Sequence, residues 1–149
     1  MRTAQILSFG RTIGFAAFVL GSSSACADVL EPGLWNIITR IETGGAMSPP
    51  QQSAKCVTPE QANDVATTFS PAPRMVNSEC GAIERSLEGT RLRWKLVCTG
   101  QFNMELTGDY TFIDPQHYSA TVWTRTAMAG RLMSETRTTL YAERVSECP

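Results

Sequence analysis

Apolar and polar residues alternate most clearly between Cys80 and Phe112. Leu92, Trp94, Leu96 and Cys98 fall on one face of an extended chain, and Arg91, Arg93 and Lys95 on the other. Period-two alternation of this kind marks a strand buried on one side only. The preceding run, with Ile83 and Leu87 among Glu84, Arg85 and Glu88, folds back onto it through Gly89-Thr90. A type II′ turn wants glycine at its first central position, as here. That register sets Leu87 opposite Leu92, Ile83 opposite Leu96 and Glu88 opposite Arg91, and it sets Gly81 opposite Cys98. A one-residue bulge at Gly81 brings Cys80 and Cys98 together instead.

The same logic extends along the chain. Glu31-Pro32-Gly33 reads as a turn, followed by a strand over Leu34 to Thr43 with Trp35, Ile37, Thr39 and Ile41 on one face. The Gly-, Pro- and Gln-rich stretch from Gly44 to Gln52 reads as a loop. Thr58, Pro59 and Gln61 form the signature of a capped helix, predicted over Pro59 to Ala66 and stopped by Ser70-Pro71-Ala72-Pro73. Met104, Leu106, Tyr110 and Phe112 define the inner row of a further strand that Gly108 interrupts. An inward glycine marks a bend or close packing beneath a bulky neighbour. Strands over Tyr118 to Met128 and Leu132 to Val145 follow, separated by turns at Asp114-Pro115-Gln116-His117 and Ala129-Gly130-Arg131. About six strands and one short helix predict an all-β fold. Short connections make it an antiparallel meander, strongly curled or forming a small partial barrel so as to bury its apolar face.

The first 27 residues have the organisation of an export signal: Arg2 and Arg11, an apolar core from Ile13 to Leu20, then Ala25-Cys26-Ala27. The core is far shorter than the roughly 20 residues that span a bilayer, so no transmembrane anchor is expected. The competing reading is a lipoprotein acylated at Cys26. Ser23 disfavours it, standing where such signals carry Leu or another aliphatic. Cleavage after Ala27 leaves residues 28–149 as one domain, destined for the periplasm or the extracellular space. The 13 basic residues then lose Arg2 and Arg11 while 14 acidic ones remain, so the balance becomes 11 − 14 = −3. A mildly acidic chain without basic tracts argues against nucleic acid or an anionic lipid surface as partner.

Four cysteines remain in the mature chain: Cys56, Cys80, Cys98 and Cys148. An even number in an exported chain reads as disulfides, with three pairings open. The hairpin favours Cys80 with Cys98, which leaves Cys56 with Cys148. No two of them have the close spacing of a zinc site, and no C-x-x-C supports redox exchange.

The order of several short stretches resembles a known family. Pro32-Gly33-Leu34-Trp35 and Cys56-Val57-Thr58-Pro59-Glu60 come first, then Trp94-Lys95-Leu96-Val97-Cys98-Thr99-Gly100-Gln101. Thr107-Gly108, Thr111-Phe112, Tyr118 and the closing Cys148-Pro149 complete the set. Together they resemble the bacterial exported family catalogued as domain of unknown function 3617, over nearly all the mature chain. One departure is the approach to the final Cys-Pro, often Gly- and Arg-rich in the family and here Ala142-Glu143-Arg144-Val145-Ser146-Glu147. The resemblance implies a location and an architecture, and no activity.

Candidate chemistry narrows in the same direction. His117 is the sole histidine and sits in a turn, and no G-x-S-x-G elbow or nucleophile–base pair accompanies it. Glu84, Glu105, Asp109 and Glu135 could supply a glycosidase pair, but alternation sets most of them opposite the apolar row, on a solvated face. Met47, Met75, Met104, Met128 and Met133 are too scattered for a Cu(I) cluster and read as core filler. Arg91, Arg93 and Lys95 flank Trp94 but point the other way, so a stacking site for nucleotides is not expected. No cofactor and no metal are implied. What remains is binding. Trp35, Trp94, Tyr110 and Phe112, with Tyr118 and Trp123, have the surface either to line a pocket for a small apolar ligand or simply to fill the core. An envelope module that offers an edge strand or loop to another protein is the alternative to a ligand-binding domain, and a hydrolase-type enzyme comes after both.

Overall fold

The computed structural model describes residues 29–71 and 78–149. The export signal, Cys26 and Met75 lie outside the described residues. Among the described residues nine strands form one sheet: β1 (Gly33–Thr43), β2 (Ala46–Met47), β3 (Gln51–Val57), β4 (Ser78–Cys80), β5 (Glu84–Glu88), β6 (Arg91–Gly100), β7 (Asn103–Asp114), β8 (His117–Met128) and β9 (Arg131–Ser146). Two short helices, α1 (Pro59–Asn63) and α2 (Val65–Thr68), follow β3. Every strand pair is antiparallel, and β5 to β9 run as a meander. β1 then adds beside β9, so the central order is β1-β9-β8-β7-β6.

Both outer positions are shared by two strands. β2 and β3 lie along one side of β1, and β4 and β5 along the outer side of β6. On each edge the register slips by one residue between the two pieces. Glu42 faces Met47 but Thr39 faces Gln51, and the extra residue falls in Ser48-Pro49-Pro50. There the Ser48 hydroxyl accepts the Ile41 N–H at 3.0 Å, and Pro49 and Pro50 have no N–H to offer the ladder. On the other edge Glu84 faces Lys95 while Cys80 faces Cys98, with the extra residue in Gly81 to Ile83.

The hairpin register is as the alternation predicts: Leu87 faces Leu92 and Glu88 faces Arg91, with Gly89 at φ +59° in the turn. Ile83 is the exception. The ladder stops at Glu84, and Ile83 sits in the bulge, partly buried against the core. The stretch from Gly44 to Gln52 is a loop only in part. Gly44-Gly45 makes a tight turn, and β2 and the start of β3 occupy much of the rest. β3 escapes notice in the sequence because it is an edge strand, exposed from Gln51 to Cys56, held by backbone bonding to β1 and not by an apolar row.

The expected single helix is two. Asp64 leaves helical geometry at φ −123° and ψ 66°, and its side chain accepts the Thr67 N–H at 3.1 Å, capping a second turn and ending the first. Thr58 and Gln61 make the reciprocal capping box at the start, at 3.3 and 3.0 Å.

The sheet is open, since β3 and β5 at its two sides do not pair with each other. Its two edges nevertheless approach the same short segment. The Lys55 ammonium of β3 stands 5.4 Å from the centroid of the Phe69 ring, and Arg85 Nε of β5 donates to Ser70 Oγ at 3.1 Å. A sheet whose opposite margins both touch one residue pair must curl around it, which fits the predicted curled meander.

Candidate ligand pocket

Alternation sends Trp35 and Ile37 of β1, Leu92, Trp94 and Leu96 of β6, Leu106, Tyr110 and Phe112 of β7, Tyr118, Ala120 and Val122 of β8, and Leu140 and Ala142 of β9 to the concave face. The helical segment covers one end of that face through Ala62, Val65 and Phe69. Phe69 is the plug. Its ring lies 5.1 Å from Tyr118, 5.5 Å from Tyr110 and 5.6 Å from Phe112, in the tilted and edge-on arrangements that aromatic quadrupoles favour. Beneath it Trp35 is fully buried, its Nε1 donating to the Glu31 carbonyl at 3.3 Å.

The cover does not extend over the whole face. Beside Phe69 it leaves an open concavity of about 390 Å³, floored by Ile37, Leu106, Val122 and Leu140 and walled by Trp94, Tyr110 and Tyr118. Lys55, Thr68, Ser70 and Pro71 form its rim. Of the four aromatic residues singled out in the sequence, Trp94 and Tyr110 border this pocket, whereas Trp35 and Phe112 are sealed in the core behind it. Trp123 belongs to neither group. It points from the opposite face, 40% exposed, with the Arg137 guanidinium 5.2 Å from its ring centroid. Sequence reasoning overlooked Phe69, an isolated aromatic in a polar run just before Pro71. Its only signal was that isolation.

Trp94 lies across Gly108. A Cβ at position 108 would come within 2.2 Å of the indole Cε2, so the inward glycine is the seat of the ring. The indole Nε1, pressed on the same spot, has no hydrogen-bond partner among the described residues. Burial pushes the Tyr110 hydroxyl above the ordinary phenol range and the Tyr118 hydroxyl well above it, where the neighbouring Tyr110 adds to the effect.

The convex face carries several paired charges. Arg91 meets Asp109 through two nitrogens, Lys95 meets Glu105 at 3.1 Å and Arg125 meets Glu135 at 2.7 Å. Glu84 stands opposite Lys95 in the ladder. The carboxylates considered as a glycosidase pair therefore lie on the solvated side, three of them engaged with cations. Hydrogen bonding from Arg91 holds Asp109 below the usual carboxylate range. His117 Nδ1 sits 2.9 Å from Asp114, on the turn, with its ring stacked on Tyr141. Met47, Met128 and Met133 are exposed, which corrects their reading as core filler; Met104 alone of the described methionines takes an inner-row place.

The described cysteines stand in two bonded pairs, Cys80 with Cys98 and Cys56 with Cys148, their Cα atoms 3.9 and 5.5 Å apart. Paired cysteines point to an oxidising, exported environment. Among the described residues no helix is long and apolar enough to cross a membrane, and no group of His, Cys, Asp and Glu is arranged to hold a metal.

A family model described as protein of unknown function (DUF3617) matches residues 30–148, from the start of the core to the last cysteine. The chain belongs to that family. No curated protein and no solved structure matches it. The DUF3617 match spans both cystines, the capped helical segment and every pocket residue.

Proposed function

We propose that this DUF3617 domain is an exported, periplasmic binding protein without catalytic activity, which holds a small apolar ligand between the Phe69 cover and the sheet. The observation that carries the reading is the concavity bordered by Trp94, Tyr110 and Tyr118. At about 390 Å³ it has the size and the apolar lining of small-molecule sites. Its walls are fixed by the aromatic cluster and by the glycine seat of Trp94, so a ligand would find most of the site already formed. Native mass spectrometry of protein taken from the envelope tests it. A bound hydrophobe, or one acquired from a lipid panel, supports the reading. A protein that stays empty throughout sinks it.

A second reading rests on a different end of the sheet. Met47, Leu132 and Met133 are each more than half exposed beside the β1–β2 and β8–β9 turns. Apolar side chains gathered there suit contact with another envelope protein. Cross-linking from Leu132 in intact cells would distinguish this from ligand binding.

A further inference from the structure

The pocket has a polarity. Among the described residues Lys55 is the sole charged side chain on its lining, and no carboxylate accompanies it there. Among the described residues Lys55 makes no ion pair, and its ammonium is held at the mouth by the Phe69 ring, 5.4 Å from the centroid. On the opposite margin Arg85 stands across from Trp94 and reaches inward to Ser70 Oγ, a rim hydroxyl, and it too has no carboxylate partner among the described residues. Thr68 and Ser70 give their hydroxyl protons to the Gln61 and Ala66 carbonyls, so both hydroxyls are oriented by the helical segment. Lys55 thus stands at the mouth and Arg85 just outside it behind Ser70, while Ile37, Leu106, Val122 and Leu140 give a floor with nothing polar to offer.

From this we infer that the ligand is a single-chain amphiphile with an anionic head, its chain along the Ile37–Leu106 floor and its head against Lys55. The inference rests on the ligand-binding reading above and gives that ligand a chemical class. The net negative charge of the mature chain opposes an anionic surface, but a single head group responds to the nearest charges at the mouth, because screening limits the reach of the rest to about 8–10 Å. An apolar floor supplies affinity without selecting a head, and the cations supply the selection.

Three probes with the same dodecyl chain separate the terms: dodecanoate, dodecanol and dodecyltrimethylammonium, followed by isothermal titration and by Trp fluorescence below their micellar concentrations. The expected order is dodecanoate tightest and the ammonium weakest. Lys55→Glu should weaken dodecanoate about tenfold while leaving dodecanol within about twofold, the scale of a partly solvated ion pair. Dodecyl phosphate as a fourth probe distinguishes a carboxylate preference from a general anion preference, and either result supports the anionic class. Equal affinity for all heads, or dodecanoate binding unchanged by Lys55→Glu, overturns the head-group inference and leaves the pocket standing. Failure of every probe to bind overturns both.

Discussion

The Trp94 indole occupies the space that a side chain at residue 108 would need, directly across the β6–β7 ladder from Gly108. The flat ring and the absent side chain form one packing unit, and the pocket wall depends on it. Gly108→Ala should therefore cost about 1–3 kcal/mol through forced displacement of the ring, as overpacked interiors do. Urea unfolding followed by circular dichroism would show it, and a shifted Trp emission would mark the moved indole. An unchanged midpoint would mean that the ring is not seated there.

Phe69 is the contact between the helical cover and three rings of the sheet. Truncation by Phe69→Ala should destabilise the fold by about 3–5 kcal/mol, the range for deleting a buried aromatic. Phe69→Leu keeps much of the volume and should cost less than half as much, read from the same denaturant curves.

The two cystines close loops of very different length, 18 and 92 residues in separation. In the loop-entropy description the shorter contributes roughly 3 kcal/mol and the longer between about 4 and 5. Replacing Cys56 and Cys148 together by Ser should therefore lower stability more than replacing Cys80 and Cys98. Thiol titration of the unfolded, non-reduced chain from residue 28 onward should find no free groups.

Ala129 is the one described residue other than glycine with positive φ, +48°, at the first position of the Ala129-Gly130 turn. An L side chain there costs about 1 kcal/mol relative to residues that tolerate the left-handed region. Ala129→Asn gives the Asn-Gly pair that such two-residue hairpins prefer and should raise stability by up to about 1 kcal/mol. Thermal unfolding would report it as a higher midpoint.

Stability should fall on the alkaline side because of Tyr118 and Tyr110. Both side chains are largely buried and neutral, with folded pKa values raised above the unfolded phenol. The unfolded chain loses those protons first, so their contribution is intact below about pH 10 and declines as the pH climbs from there toward the folded values. Tyr118→Phe cannot ionise and should flatten that decline. Short-exposure urea titrations between pH 8 and 11 would compare the slopes, and equal slopes would exclude Tyr118 as the cause.

Much of the architecture was legible because it is written in alternation. The Leu92–Cys98 row, the Gly89 turn and the place of Gly108 under a large ring all follow from period two and turn chemistry, whereas the one-residue slip near Gly81 was suggested only by pairing Cys80 with Cys98. β3 was not legible, since Gln51 to Cys56 carry no apolar row and pair through backbone alone. The break at Asp64 was hidden because a carboxylate can serve a helix interior or cap a new turn, and only the competing amide of Thr67 decides. The pocket was half legible. Strand parity places Trp94 and Tyr110 inward, but it cannot say which inward rings the cover seals, as it seals Trp35 and Phe112. That depends on Phe69, which comes from outside the sheet.

The doubled outer strands have a consequence for crowded compartments. An uninterrupted free margin is what lets one molecule template the next into a growing fibril. Here Ser48-Pro49-Pro50 breaks one margin and Gly81 to Ile83 the other, so a neighbour that begins to add a strand loses register within a few residues. The protein should accordingly remain dispersed at concentrations where a flat open sheet of the same size would polymerise.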